Sequence, residues 1–186
     1  ILGELLERKG DNEQAVSVYE RTLRDHPEFV GVVGPLARAR LRAGDDPERI
    51  VTDLSPVTEA NLTTAGLLLA HSLYEQKQIS HARALYERVR DEHPHNQIAR
   101  VGLIECALSD GEVEEVLALT DEFNDSDPTA PSLLRARLFV CLLDPANRLD
   151  EADQLLQRAE RVRLDEHELE AFAAWAAMLR GDGFRV

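Results

Sequence analysis

The residues able to do chemistry on their own are few and scattered. Cys106 and Cys141 are the only thiols. A nucleophilic cysteine needs a nearby histidine base and an exposed, electropositive setting, which neither position offers, so both read as buried free thiols. His93 and His95 flank Pro94 and come nearest to a ligand pair. No cysteine or further histidine lies close in sequence to complete a zinc site. There is no glycine-rich phosphate loop, nucleophile elbow or His-Glu-x-x-His segment. Carboxylates abound, but they are expected on helix faces and not in apolar clefts that would perturb their pKa values. The expectation is a segment without catalysis, without a cofactor and without a metal.

What remains is charge arranged for recognition. Arg38 and Arg42 stand four apart and so share a helix face, where two guanidinium groups could grip a carboxylate or an acidic peptide. A solvated or salt-bridged face is the competing reading. Between Arg100 and Arg135 there is no basic residue, whereas Glu105, Asp110, Glu112, Glu114, Glu115, Asp121, Glu122, Asp125 and Asp127 are all acidic. That stretch suits a basic partner or a divalent cation, or else serves as a solubilising face. Trp175 is the sole tryptophan, in Phe172-Ala-Ala-Trp175-Ala-Ala-Met178. It reads either as core packing of the last helix or as part of an apolar face through which two copies form a homodimer.

These side chains need a scaffold, and the composition can build one. Of 186 residues, 44% are apolar and 30% charged, enough for a folded core. The 35 acidic and 21 basic residues give a net charge of −14, the wrong sign for attraction to nucleic acid or to an anionic membrane surface. Apolar runs such as Leu67 to Ala70 fall far short of the roughly 20 residues that span a bilayer. Two cysteines make no disulfide framework and favour a reducing compartment, hence a cytoplasmic location. The chain starts at Ile1, inside a structural unit, and reads as a piece of something longer.

The scaffold is periodic. Ala15, Tyr19 and Pro27 recur 67 residues later as Ala82, Tyr86 and Pro94, and Pro94 recurs after 34 as Pro128. Gly10, Gly44 and Gly111 keep the same register. The unit is therefore about 34 residues with an occasional slip of one. Within it, Ala15, Val18, Tyr19 and Leu23, and again Ala82, Leu85, Tyr86 and Val89, fall at spacings of three and four, one apolar face of a helix. Short turns such as Lys9 to Asn12 and Ala43 to Asp46 combine a glycine with a capping acid. Asp46-Pro47 starts a helix, and Ser109 to Glu112 and Asp165 to Glu168 have capping-box spacing. Eleven helices are expected: 1–9, 13–25, 30–43, 47–54, 58–77, 79–92, 96–109, 112–123, 130–143, 149–162 and 166–180.

In this register the chain resembles the tetratricopeptide repeat family. Leu2-Gly3, Leu6, Gly10-Asp11, Ala15, Tyr19, Leu23 and Pro27 follow its consensus order. Ala70, Leu73, Ala82, Tyr86, Val89 and Pro94 do so again, then Gly111, Val116, Phe123 and Pro128. The resemblance implies an all-α, right-handed solenoid of antiparallel helix pairs. Its approximate units are 1–29, 30–62, 63–96, 97–130, 131–165 and 166–186, the first and last incomplete, in a single domain. Two departures stand out. Arg49, Asp53 and Pro56 occupy slots for small and aromatic residues, so that helix should be short or irregular, and Leu143 to Arg148 makes an extended turn.

A hairpin of this size cannot offset its own ordering entropy and must lean on its neighbours. In the family the first helix of each pair lines the groove. The resemblance thereby implies Glu4, Arg8, Arg38, Arg42, His71, Tyr74, Glu75, Glu105, Arg135, Phe139, Trp175 and Met178 as groove residues. Members that clamp a peptide's terminal carboxylate use asparagine and basic residues on adjacent first helices. Glu4 and Glu75 beside Arg8 and His71 depart from that pattern. The expected role is non-catalytic binding of a peptide or partner protein. The alternative is a structural or oligomerising region appended to a larger bacterial enzyme such as a glycosyltransferase.

Overall fold

The apolar stripes become helices in the computed structural model, which describes residues 2–121, 130–159, 161, 162 and 164–181. Among the described residues there are eleven: α1 (Leu2–Lys9), α2 (Asn12–Asp25), α3 (Val33–Ala43), α4 (Pro47–Ala60), α5 (Leu67–Glu75), α6 (Ile79–Glu92), α7 (Gln97–Asp110), α8 (Val113–Thr120), α9 (Ala130–Leu143), α10 (Pro145–Arg158) and α11 (Glu166–Leu179). Among the described residues there is no strand, and no helix is long and apolar enough to cross a membrane. The expected Phe123, Pro128, Glu122, Asp125 and Asp127 lie outside the described residues.

Two compact units divide the chain, Ile1–Cys106 and Ala107–Val186. In the first, α1 packs on α2, α2 on α3, α3 on α5 and α5 on α6. In the second, α9 packs on α8 and α10, and α11 rests on both α9 and α10. Contacts run between elements near in sequence, as hairpin stacking requires. The recurring tyrosines explain the closeness of the first unit. A Cβ on Gly3 would lie 2.5 Å from Cε1 of Tyr19, and one on Gly102 would lie 2.5 Å from both Cε1 and Cε2 of Tyr86. Each ring therefore lies on a helix backbone, and only the absence of a side chain lets it approach.

Helix ends follow local chemistry, with exceptions. Gly44 closes α3 at φ 97°, and Asp46 accepts a hydrogen bond from the Glu48 N–H ahead of Pro47, as its sequence predicts. Asp11 stands at the N-cap of α2 without a side-chain bond to the helix. The Ser109 to Glu112 capping box does not form, because α7 runs on through Ser109 to Asp110 and α8 starts after Glu112. Asp165 caps α11 by accepting from the N–H groups of His167 and Glu168, but the Glu168 carboxylate turns instead to Arg135.

Two expected helices are corrected. The segment expected as 47–54 followed by a helix over 58–77 is instead α4 to Ala60, a π-helical turn over Leu62–Gly66, and then α5. Pro56 removes one backbone donor and crowds the Thr52 carbonyl, but both residues are exposed, on the side of the helix where losing one backbone bond costs least. The buried stripe of Ile50, Leu54 and Thr58 carries the helix past it. The extended turn at Leu143 to Arg148 shrinks to Asp144. Pro145 is pre-set for the first helical position, and Asn147 donates its amide back to the Asp144 carboxylate at 2.9 Å.

Candidate functional site

In the first unit, the first helices of three successive pairs bring charged side chains to one cleft of about 400 Å³. Glu4, Glu7 and Arg8 come from α1, Arg38 and Arg42 from α3, and Glu75 from α5. Five of these six are groove residues named from the sequence. Glu7 is the exception, and it is the centre of the arrangement.

The Glu7 side chain is 5% exposed. One carboxylate oxygen accepts from the Tyr19 hydroxyl at 2.8 Å and from Arg38 Nη2 at 3.1 Å, and the other from Arg38 Nε at 2.8 Å and Arg42 Nη1 at 3.3 Å. Arg38 thus forks Glu7 with two parallel bonds, the strongest geometry open to this pair of groups. Burial pushes the Glu7 carboxyl up, but the bonds from Arg38 and Tyr19 and the charges of Arg38 and Arg42 outweigh it and hold the group below its ordinary range. The bond to Glu7 likewise raises Arg38. Burial, the bond to Glu7 and its charge push the Tyr19 phenol far above its usual value, so it remains a donor.

Arg38 and Arg42 do share a face, as their spacing requires, and that face is salt-bridged from within the protein. Arg42 stays 44% exposed at the rim. Glu75 pairs with His71 one turn earlier, Nε2 to Oε1 at 3.6 Å. Tyr74 points elsewhere, its hydroxyl donating at 3.5 Å to the carbonyl of Glu105 on α7. Sequence offered one unused signal for Glu7: it lies three residues after Glu4 and so shares that residue's helical face.

Glu105, on α7, stays in the first unit, and the other expected groove residues belong to the second. Arg135 on α9 pairs with Glu168 on α11 at 2.8 Å. Phe139 and Trp175, named separately from the sequence, meet edge to face with ring centroids 5.9 Å apart. Trp175 packs against the core of α9, α10 and α11, while Met178, one turn on, is 61% exposed. The acidic stretch finds internal cations here. Arg137 donates to Glu151 at 2.5 Å, to the Thr120 carbonyl at 2.9 Å and to Asp121 at 3.4 Å, while Arg148 meets Glu151 at 3.5 Å and Glu114 at 3.8 Å. These contacts tie α8, α9 and α10 together. Among the described residues no three His, Cys, Asp or Glu side chains gather closely enough to hold a metal.

Both cysteines are buried thiols, joined in no disulfide. Burial first, then the Glu151 charge, pushes the Cys141 thiol up to about 11, away from the thiolate that nucleophilic chemistry needs. Two family models described as tetratricopeptide repeat match the chain, one over residues 2–48 and the other over 73–138. A comparison with curated proteins returns no match. The first matched region contains α1, α2 and α3 with Glu7, Tyr19, Arg38 and Arg42, and the second spans α6 and α7 with the Tyr86–Gly102 contact.

Proposed function

The chain belongs to the tetratricopeptide repeat family, and from that premise we propose that it holds a peptide segment of a partner protein on the face made by α1, α3 and α5, without transforming it. Proteins of this family generally mediate protein–protein interaction. The observation that carries the reading is the convergence of three first helices on one polar cleft, lined by Glu4, Glu7, Arg8, Arg38, Arg42 and Glu75. A cleft lined by charge offers hydrogen bonds and register to an extended chain, and little to a small apolar ligand. Nothing in it resembles a nucleophile with its base, and its buried carboxylate is held ionised by arginines and not poised to move a proton.

The test changes the rim and leaves the Glu7 anchor alone. Arg8 and Glu75 are both exposed. The pair Arg8→Glu with Glu75→Lys reverses the rim pattern at constant net charge. Binding to partners retrieved by the wild-type chain should weaken at least tenfold, with helicity and melting temperature unchanged. Undiminished binding by the double variant would refute this face as the docking surface.

A further inference from the structure

We propose that Glu7 is the specificity-determining residue of this cleft: it fills the Arg38–Arg42 guanidinium pair from inside the protein, so that the cleft turns away carboxylates and receives a basic peptide segment. The inference rests on the cleft being the docking face. The bidentate fork of Arg38 is the feature best shaped to take a ligand carboxylate, and Glu7 already occupies it at 2.8 and 3.1 Å. Tyr19 holds the occupant in place with a 2.8 Å hydrogen bond, and the carboxylate is nearly sealed from water. An incoming acid would have to displace a group that is covalently part of the protein and already ordered, so its effective concentration is high.

The charge balance points the same way. Without Glu7 the cleft would carry Arg8, Arg38 and Arg42 against Glu4 and Glu75, an anion site; with Glu7 the signs cancel. The rim still presents the exposed carboxylates Glu4 and Glu75 to solvent. The chain as a whole, at −14, attracts a basic segment and repels an acidic one at long range.

The test uses the full 186-residue chain and two labelled probes of equal length, an Asp-rich and a Lys-rich peptide, read by fluorescence anisotropy. Wild type should bind the Lys-rich probe more tightly. Glu7→Gln keeps the shape of the side chain and frees the guanidinium charge, so the Asp-rich probe should gain at least tenfold, and adding Arg42→Gln should cancel the gain. An unchanged Asp-rich affinity in folded Glu7→Gln, or a wild-type preference for the Asp-rich probe, would overturn the assignment. If Glu7→Gln does not fold, the Arg38 Nε–Hε resonance of wild type decides. A resonance that holds still through an Asp-rich titration supports occupancy by Glu7, and a saturable shift refutes it. None of these readouts needs the natural partner. Failure here with the rim variants still losing that partner would sink the role of Glu7 alone.

Discussion

Gly102→Ala adds a single methyl group to the middle of α7, where residue preference alone argues for it. Alanine in a helix interior is better than glycine by about 0.5–1 kcal/mol. At this site the new carbon would stand 2.5 Å from two ring atoms of Tyr86. That ring is 2% exposed and cannot swing into water without repacking its surroundings. Overpacking of a closed core costs about 1–3 kcal/mol. The clash therefore outweighs the preference, and the variant should lose about 1–2 kcal/mol, or roughly 4–8 °C of melting temperature per kcal/mol for a unit of this size. All three tyrosines, Tyr19, Tyr74 and Tyr86, lie in the first unit, so near-ultraviolet tyrosine dichroism follows its unfolding, while Trp175 reports the second. Tyr86→Leu removes the obstructing ring, and in that background Gly102→Ala should cost less, giving a double-mutant coupling of about 1 kcal/mol or more. A Gly102→Ala protein that melts at or above wild type, with no coupling to Tyr86, would show that the ring is not seated on the α7 backbone.

Two further outcomes follow from the anchor and the cap. The Glu7 carboxyl is held below its ordinary value of 4.5, so its ionisation stabilises the fold above that pH, and the contribution disappears as pH falls through the lowered value. The gap in urea midpoint between wild type and Glu7→Gln should accordingly be widest near neutrality and close in acid; a gap independent of pH would contradict the ionised pairing. Asp165→Ala deprives the His167 and Glu168 N–H groups of their acceptor and should cost about 1 kcal/mol, seen as earlier unfolding in Trp175 fluorescence from the same helix. An unaltered transition would mean that water caps α11 equally well.

Most of the architecture was readable because each repeat marks the same faces with the same residue types. The expected helices over 79–92 and 130–143 coincide with α6 and α9. Local rules failed where tertiary packing competed with them. At Pro56 a backbone breaker lost to the buried stripe of Ile50, Leu54 and Thr58, and at Ser109 the capping signal lost to continuation of α7. The cleft was legible as a set of first-helix positions, since Glu4, Arg8, Arg38, Arg42 and Glu75 do converge. Its central contact was not. Periodicity tells which face a residue occupies, whereas the choice of Arg38 between a partner's carboxylate and Glu7, 31 residues earlier, depends on the spacing of two packed helices. The Phe139–Trp175 pair was hidden for the same reason: 36 residues of sequence separate two rings that α9 and α11 bring together.

The corners of the hairpins have a bearing on how such an array can change. At Gly10, Gly44 and Gly111 a side chain would meet nothing within 4 Å, and what selects glycine there is the left-handed backbone alone. Lys77, at φ 63°, fills the equivalent corner between α5 and α6, so the requirement is one of torsion and tolerates a side chain pointing outward. Splicing extra residues into these bends would leave the buried stripes untouched, which makes them the natural seams at which hairpins can be duplicated, removed or exchanged.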